Sequence, residues 1–441
     1  MRSHLERGAV SIVKTLRDHG FKAYFAGGSV RDRVLGRPIN DIDIATSAKP
    51  KEIKKLFKKT VAVGEQFGVI VVLLAGESFE VASFRKDGSY SDGRHPDGVS
   101  FCDEEEDAVR RDFTINGMFY DPFEDRVIDY VGGRDDLKDG VIRAIGKPLE
   151  RFAEDKLRMI RAIRFAARFG YAIEAGTWDA ICHYHDEISL VSAERIRDEL
   201  SKILTEGQAR LGLELLDASG LLKVILPEVT ELKGLQQPEE YHPEGDVFVH
   251  TLLLLDNMRK PGKELAFAAL LHDVGKALTY SKTDRIRFHN HDKQGAKLAE
   301  DICSRLKFSK RETHEVVDLV AQHMRFMNVR DMRESKLKRF IRQDNFADHL
   351  ELHRLDCVAS HGKLDHYEFC RDKLKEYASQ PEETLRPPRL IDGGRLIELG
   401  YRPGPLFKSI LEEIENAQLE GEISSREDAE SFVLSKYPPE A

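Results

Sequence analysis

Between Phe25 and Ser47 the chain reads FAGGSVRDRVLGRPINDIDIATS. Gly27 and Gly28 end a short apolar run, and glycines at such a strand-to-helix turn let backbone amides approach a phosphate closely. Arg31 lies one helical turn further on, within reach of the same anion. In NDIDIAT, strand alternation puts Asp41 and Asp43 on one face. Two carboxylates there repel unless a cation joins them, and Mg2+ takes carboxylates together with phosphate oxygens. Two such ions, about 3.5–4 Å apart, would activate an attacking hydroxyl and steady a leaving pyrophosphate. Glu80, a charge inside the apolar run FEVASF, is the candidate third carboxylate; its other reading is an edge-strand glutamate facing water. In AVRRDFTINGMFYDP, Arg110, Arg111 and Asn116 offer donors for a triphosphate or a sugar.

A second set follows in ERFAEDKLRMIRAIRFAARFGY. Asp155, Arg158, Arg161 and Arg164 recur every three residues, which on one helix makes a polar strip, with Leu157, Ile160, Ile163 and Ala167 as the core face. An isolated helix of this kind reads as a salt-bridged surface helix. An Asp and an Arg one turn apart can also read a base edge, the carboxylate accepting from an exocyclic amine and the guanidinium donating to a ring nitrogen. Cytosine and adenine both present an amine beside an acceptor, so such a pair would select C and A.

A third set is spread over VFVHTLLLLDNM, FAALLHDVGKA, FHNHDKQG, LVAQHM and HRLDCVASHG. The adjacent pair His272–Asp273 ends an apolar helix, where an unpartnered aspartate is costly to bury. Imidazole with carboxylate suits Mn, Ni, Fe or Co as well as Zn and Mg, and such a centre can activate water against a phosphoester.

The elements that must position these groups change character along the chain. Residues 3–20 read as an amphipathic helix, followed by β-rich runs (KAYFAGG, NDIDIAT, GVIVVLLAG, SFEVASFR, RVIDYVGG) between glycine-rich turns. From Glu150 the periodicity is helical, with the Asp155 segment and SAERIRDELSKILTEGQARLGLELLDASG as long helices. KGLQQPEEYHPEGD and SQPEETLRPPRLIDGG read as linkers. The expected division is 1–145, 146–233, 234–378 and 379–441. A charged first twenty residues excludes a signal peptide, no run approaches the roughly 18 apolar residues of a membrane span, and five cysteines without a C-x-x-C pair point to a reducing cytoplasm. A net charge of −9 makes any nucleic-acid contact depend on local basic clusters such as Arg151–Arg168 and KLKRFIR.

Taken together, GGSVRD…NDIDIAT and RRDFTINGMFYDP resemble the nucleotidyltransferase branch that contains class II tRNA CCA-adding enzymes and bacterial poly(A) polymerases. The resemblance implies an α+β fold: a polymerase-β-like head with a small mixed sheet, then an all-helical neck, HD domain and tail. It implies Gly28, Arg31 and Arg111 in nucleotide binding and Asp41 and Asp43 as Mg2+ ligands. It places base selection in the E-D-x-x-R motif, here Glu154, Asp155 and Arg158, with further nucleotide contacts at Arg161 and Arg164. The family usually has alanine where this chain has Gly117. The loop FRKDGSYSDGRHPDGVSF, residues 84–101, resembles the element that switches specificity from CTP to ATP, which CC-only relatives lack and A-only relatives keep. His250, His272, Asp273 and Asp356 match the four ligands of the HD phosphohydrolase superfamily, and His291 and His323 match its second-metal positions; a domain that only holds tRNA is the other reading. The segment after Gly393 also resembles the carboxyl end of HD-containing members.

The expected function is template-independent addition of CCA to tRNA 3′ ends from CTP and ATP, with the helices after residue 150 cradling the acceptor stem. Three alternatives stand beside it. One is an A-adding specialist with a CC-adding partner. Another is a poly(A) polymerase, against which count the missing G-R-R-F-R signature and the acidic tail. The third is chiefly an HD phosphohydrolase with an RNA-binding head.

Overall fold

The computed structural model describes residues 3–62, 65–88 and 98–438. The chain divides into two compact units, Met1–Glu231 with Ile302–Phe308 and Leu232–Asp301 with Ser309–Ala441. Helix α1 (His4–Asp18) opens the first. Ser3 caps it by accepting from the Glu6 N–H at 3.1 Å, and Ala9, Ile12, Val13 and Leu16 form its buried face.

Nine short strands follow: β1 (Ala23–Ala26), β2 (Asp43–Thr46), β3 (Thr60–Val61), β4 (Val69–Leu74), β5 (Glu77–Ser83), β6 (Arg85–Asp87), β7 (Val99–Phe101), β8 (Phe119–Asp121) and β9 (Arg126–Ile128). Seven make one mixed sheet, in the order β3-β4-β5-β2-β1-β8-β9. Only β2 and β5 run parallel, and their register pairs Ile44 with Val81. The antiparallel β1–β2 register pairs Ala26 with Asp43. These two registers bring Asp43 beside both the Gly27 turn and Glu80. The strand expected over NDIDIAT begins only at Asp43, so Asp41 lies on the approach to it. Strand β8, buried at all three positions, has no alternation for the sequence to display. Strands β6 and β7 pair as the two ends of the 84–101 segment; residues 89–97, the centre of the expected switch loop, lie outside the described residues.

The long helix expected around Asp155 is two. Helix α2 (Gly28–Val34) belongs to the sheet layer, whereas α3 (Pro148–Glu154) and α4 (Leu157–Phe169) are separated by an extended Asp155, with φ −143° and ψ 105°. The Asp155 side chain causes the break, since its Oδ1 accepts from the Leu157 N–H at 3.0 Å at the new helix start. Helix α5 (Ala193–Glu206) ends at Gly207, where a Cβ would sit 2.7 Å from the Ala167 carbonyl oxygen, so the second long helix is also divided.

Helices α6 (Val247–Asp256), α7 (Lys263–Leu271), α8 (His291–Arg305), α9 (Lys310–Gln322) and α10 (Phe346–Ala359) carry the histidine-rich segment; they belong to the second unit except for the end of α8 from Ile302, which belongs to the first. Phe326, Phe340 and Phe346 anchor one core there, and Leu396, Ile410, Ile414 and Val433 anchor another in the carboxyl-terminal helices. Among the described residues, no helix is long and apolar enough to cross a membrane.

Candidate active site and candidate metal centre

A cavity of about 390 Å3 in the first unit gathers Gly27, Gly28, Arg31, Asp41, Asp43, Arg111, Asn116, Arg161 and Arg164. Gly27 holds φ +67°, and a Cβ there would lie 3.3 Å from Arg111 Nη1 and 3.8 Å from Asp43 Oδ2. Its N–H is spent in a weak 3.4 Å bond to the Met118 carbonyl. The glycine leaves room between a carboxylate and a guanidinium. Arg31 is almost wholly buried; Nη1 donates to Asn116 Oδ1 at 2.7 Å, and its guanidinium lies over Phe165 and Phe169. Arg111 Nη2 donates to Asp107 Oδ2 at 2.9 Å, while its buried Nε has no hydrogen-bond partner among the described residues. The guanidinium of Arg111 lines the cavity, and such a planar donor group suits an anionic ligand.

The acidic side of the cavity is a cluster. Asp43 lines the cavity with its residue exposed, and partial desolvation, then the charges of Glu80 and Asp41, push its carboxyl up to about 6 against the pull of Arg111. Carboxylates that raise one another's pKa are a donor set for a hard divalent cation, so these residues fit Mg2+. Glu80 belongs to the cluster by charge but does not line the cavity. Arg110 does not line it either: it pairs with Asp107 at 2.8 Å and faces a neighbouring cleft of about 230 Å3.

That smaller cleft holds Asp155 and Arg158, and it shares Arg111, Asp112 and Arg161 with the cavity. Asp155 Oδ2 accepts from Arg195 at 2.8 Å; Arg158 Nη1 donates to Glu154 Oε2 at 2.7 Å and to the Arg151 carbonyl at 2.9 Å. The expected exposed polar strip is absent. Arg158 and Arg164 are buried, Arg164 pairs with buried Glu199, and Arg161 pairs with Asp112. The helix break takes Asp155 off the strip, and Arg158 and Arg164 enter the interior paired with Glu154 and Glu199, while Arg161 stays partly exposed beside Asp112.

Asp112, Asp107, Glu199 and Arg195 organise this region and were not singled out from the sequence. Asp112 also accepts from Asn116 Nδ2 at 3.1 Å and from the Phe113 N–H at 2.8 Å. Burial opposes its charge, yet Arg161 and these donors hold its carboxyl well below the usual range. The only signal was its place between two arginines and T-I-N. Gly117 has a steric reason: a Cβ would lie 2.6 Å from Val131 Cγ2 and 3.0 Å from Ile145 Cδ1.

In the second unit His250, His272, Asp273, His291, His323 and Asp356 converge. His272 Nε2 lies 3.3 Å from His250 Nε2 and 3.1 Å from Asp273 Oδ2. His291 Nε2 lies 3.2 Å from His323 Nε2 and 3.5 Å from Asp273 Oδ1. Asp356 Oδ1 is 3.1 Å from His250 Nε2. Asp273 thus offers one oxygen to each of two nitrogen pairs. The outer nitrogens are already engaged. Nδ1 of His272, His291 and His323 bonds the carbonyl three residues back, at 2.9, 2.9 and 2.7 Å, which leaves each Nε2 lone pair facing inward. Burial lowers the pKa of His323 to about 4 and that of His291 below its ordinary value, so both rings are neutral at pH 7. Burial opposes charge on His250 too, but Asp356 and Glu244 raise it to about 9. Inward lone pairs around a shared buried carboxylate form a donor set that fits divalent metal. Gly275 permits the approach, since a Cβ there would fall 2.1 Å from the His291 carbonyl oxygen.

Three family profiles match in sequence: a poly A polymerase head domain over residues 23–143, a probable RNA and SrmB-binding site of polymerase A over 170–233, and an HD domain over 247–352. The CCA-adding enzyme of Lactobacillus johnsonii is 32% identical over 428 residues, which cover 97% of this chain and 96% of that one. That of Lactobacillus gasseri is 33% identical over 430 residues, covering 97% and 96%. Among solved structures, the Bacillus stearothermophilus CCA-adding enzyme in complex with CTP superimposes with a TM-score of 0.74 at 28% identity, over 99% of this chain and 98% of that one. A cavity walled by arginines and floored by a carboxylate cluster, and similarity along nearly the full length of both chains, agree, and the chain belongs to the CCA-adding enzyme family.

Proposed function

We propose that the first unit adds C, C and A in turn to the 3′ end of tRNA, using CTP and ATP and releasing pyrophosphate at each step. The observation that carries this reading is the carboxylate cluster at Asp43, facing Arg111 across Gly27. In each addition the tRNA 3′ oxygen bonds the α-phosphorus and the bond to the β-phosphate oxygen breaks. Asp41 and Asp43, with Glu80 beside them, would hold Mg2+. Bound there, the ion lowers the pKa of the attacking hydroxyl and neutralises the leaving pyrophosphate. Arg31 and Arg111, which line the cavity, would bind the triphosphate. Asn116 holds Arg31 in place and Asp112 holds Asn116, so the phosphate donors are set before the nucleotide arrives.

Asp155 and Arg158 would read the base from the smaller cleft. Their polar groups are engaged by Arg195 and Glu154, which keeps them desolvated and paired until a base takes over those bonds. Arg110, Arg161 and Arg164 line or support the same wall, and the helices after residue 150 would bind the acceptor stem. The corresponding division is a head at 1–145, a neck at 146–233, an HD domain at 234–378 and a tail at 379–441. The five cysteines are free thiols, as a reducing cytoplasm would keep them.

The second unit carries a further reading. His250, His272, Asp273 and Asp356, with His291 and His323, would hold one or two divalent ions (Mg, Mn or Ni among them). Metal there would supply an activated water for phosphoester hydrolysis. Buried Lys276, whose Nζ lies 2.7 Å from Asp273 Oδ2, fixes that carboxylate's orientation. Separate Asp41→Ala and His272→Ala variants test both readings. Loss of nucleotide addition only in the first, and of metal-dependent phosphoesterase activity only in the second, is expected. Addition surviving Asp41→Ala would overturn the first reading, and a wild-type protein without phosphoesterase activity would overturn the second.

A further inference from the structure

His250 differs from the other inward-facing histidines in what holds its outer nitrogen. His272, His291 and His323 use the carbonyl three residues back on their own segments. His250 Nδ1 instead has no aligned hydrogen bond among the described residues and lies 2.8 Å from the charge of Glu244 Oε1, a carboxylate from the segment between Gly234 and Asp246 whose sequence reads as a linker. That segment is closed on itself. Gln237 N–H donates to the Gly245 carbonyl at 2.9 Å, Gly234 N–H to Asp246 Oδ2 at 2.6 Å, and Val247 N–H to the Leu235 carbonyl at 3.0 Å. It reaches the centre at a second point, because Gln237 Oε1 accepts from Lys276 Nζ at 2.6 Å, and Lys276 bonds Asp273. Glu244 is itself buried, with a side chain 5% exposed and an Oε2 that has no partner among the described residues. A buried carboxylate with half its capacity unused is costly to keep for packing alone.

We propose that Glu244 is a positioning residue for the metal centre of the second unit: its carboxylate charge beside His250 Nδ1 favours the proton on that nitrogen and so leaves Nε2 to the ion. A carboxylate at the outer nitrogen also makes the imidazole a stronger donor than a backbone carbonyl does. The inference rests on the metal-binding reading of that centre. His242 shares the same oxygen, its Nδ1 being 2.9 Å from Glu244 Oε1, and here it serves only to hold Glu244.

The test is direct titration of metal-stripped full-length protein with Co2+, followed by its visible absorption, with metal content measured after desalting. Glu244→Ala is expected to weaken Co2+ binding roughly 10–100-fold, the range for loss of a group that orients a metal ligand. Glu244→Gln, which keeps the shape and loses the charge, is expected to weaken it by less. His242→Phe should leave the affinity within about threefold, and the metal-free melting temperature should be unchanged in Glu244→Gln. Wild-type affinity in both Glu244 variants, with or without a lower metal-free melting temperature, would overturn the proposal and leave the metal centre standing. His242→Phe falling as far as Glu244→Ala would overturn it too, since His242 and Glu244 would then be ligands. A wild-type protein whose Co2+ binding is untouched by Asp273→Asn would overturn the metal-centre reading and this inference with it.

Discussion

Asp43 stands where three influences meet: the charges of Asp41 and Glu80, the guanidinium of Arg111, and partial removal from water. Asp43→Asn keeps the shape and removes one charge of the metal-binding set. Nucleotide addition should fall by at least about 10^3-fold in kcat, because several kcal/mol of transition-state charge stabilisation are lost. Single-turnover addition to a tRNA transcript measures it. Asp155→Ala should act on choice more than on speed. A base-reading pair is worth about 1–3 kcal/mol, so the preference for CTP over UTP, read as a ratio of kcat/KM, should drop roughly 10–100-fold. At this scale the sequence displays whatever is local. D-I-D, G-G-x-x-R and H-D each compress a reactive pair into a few residues. Asp112 with Arg161 and Glu199 with Arg164 are 49 and 35 positions apart, so nothing short of the fold pairs them.

Element boundaries set which of these groups reach a site. Periodicity alone continues a helix through Asp155, whereas a side-chain bond to the Leu157 N–H ends one helix and starts the next. Likewise the segment from Gly234 to Asp246 has a linker's composition, yet its own hydrogen bonds fold it against the histidine cluster. Capping at the start of α9 is of the opposite kind and can be read directly from S-K-R-E. Ser309 and Glu312 form a reciprocal box there, and Lys263 pairs with Glu312. Those bonds hold the Glu312 carboxyl at about 2, below its ordinary 4.5. A depressed carboxylate stabilises the fold above its unfolded value, and the contribution fades as pH falls through about 4.5 towards 2. Glu312→Gln should therefore cost about 1–2 kcal/mol near pH 7, after allowance for its partial exposure, and progressively less below pH 4.5. Urea unfolding at pH 7 and pH 3.5 measures the difference, and a cost that grew on acidification would contradict the assignment. Because His323 caps the carboxyl end of α9, the same substitution should loosen one side of the histidine cluster.

For the molecule as a whole, a net charge of −9 opposes a polyanionic substrate, so binding must rest on local arginine clusters rather than on overall attraction. Affinity for tRNA should fall log-linearly with salt, each phosphate contact adding about 0.7–0.9 to the slope. The order of a sheet-bearing head followed by helices was legible because the hydrophobic period changes once, near Glu150. The return of Ile302–Phe308 to the first unit was not, since it depends on tertiary contacts. The CCA-adding, A-adding and poly(A) readings differ in which nucleotides are joined, and in what order. The most direct measurement supplies purified protein and Mg2+ with one tRNA ending at the discriminator base or after CC, adds CTP, ATP or both, and sizes the products. Two additions from CTP and a third only when ATP is present are expected. A single A on the CC-ended tRNA with no C on the shorter one, or a long ladder of A on either, would contradict it.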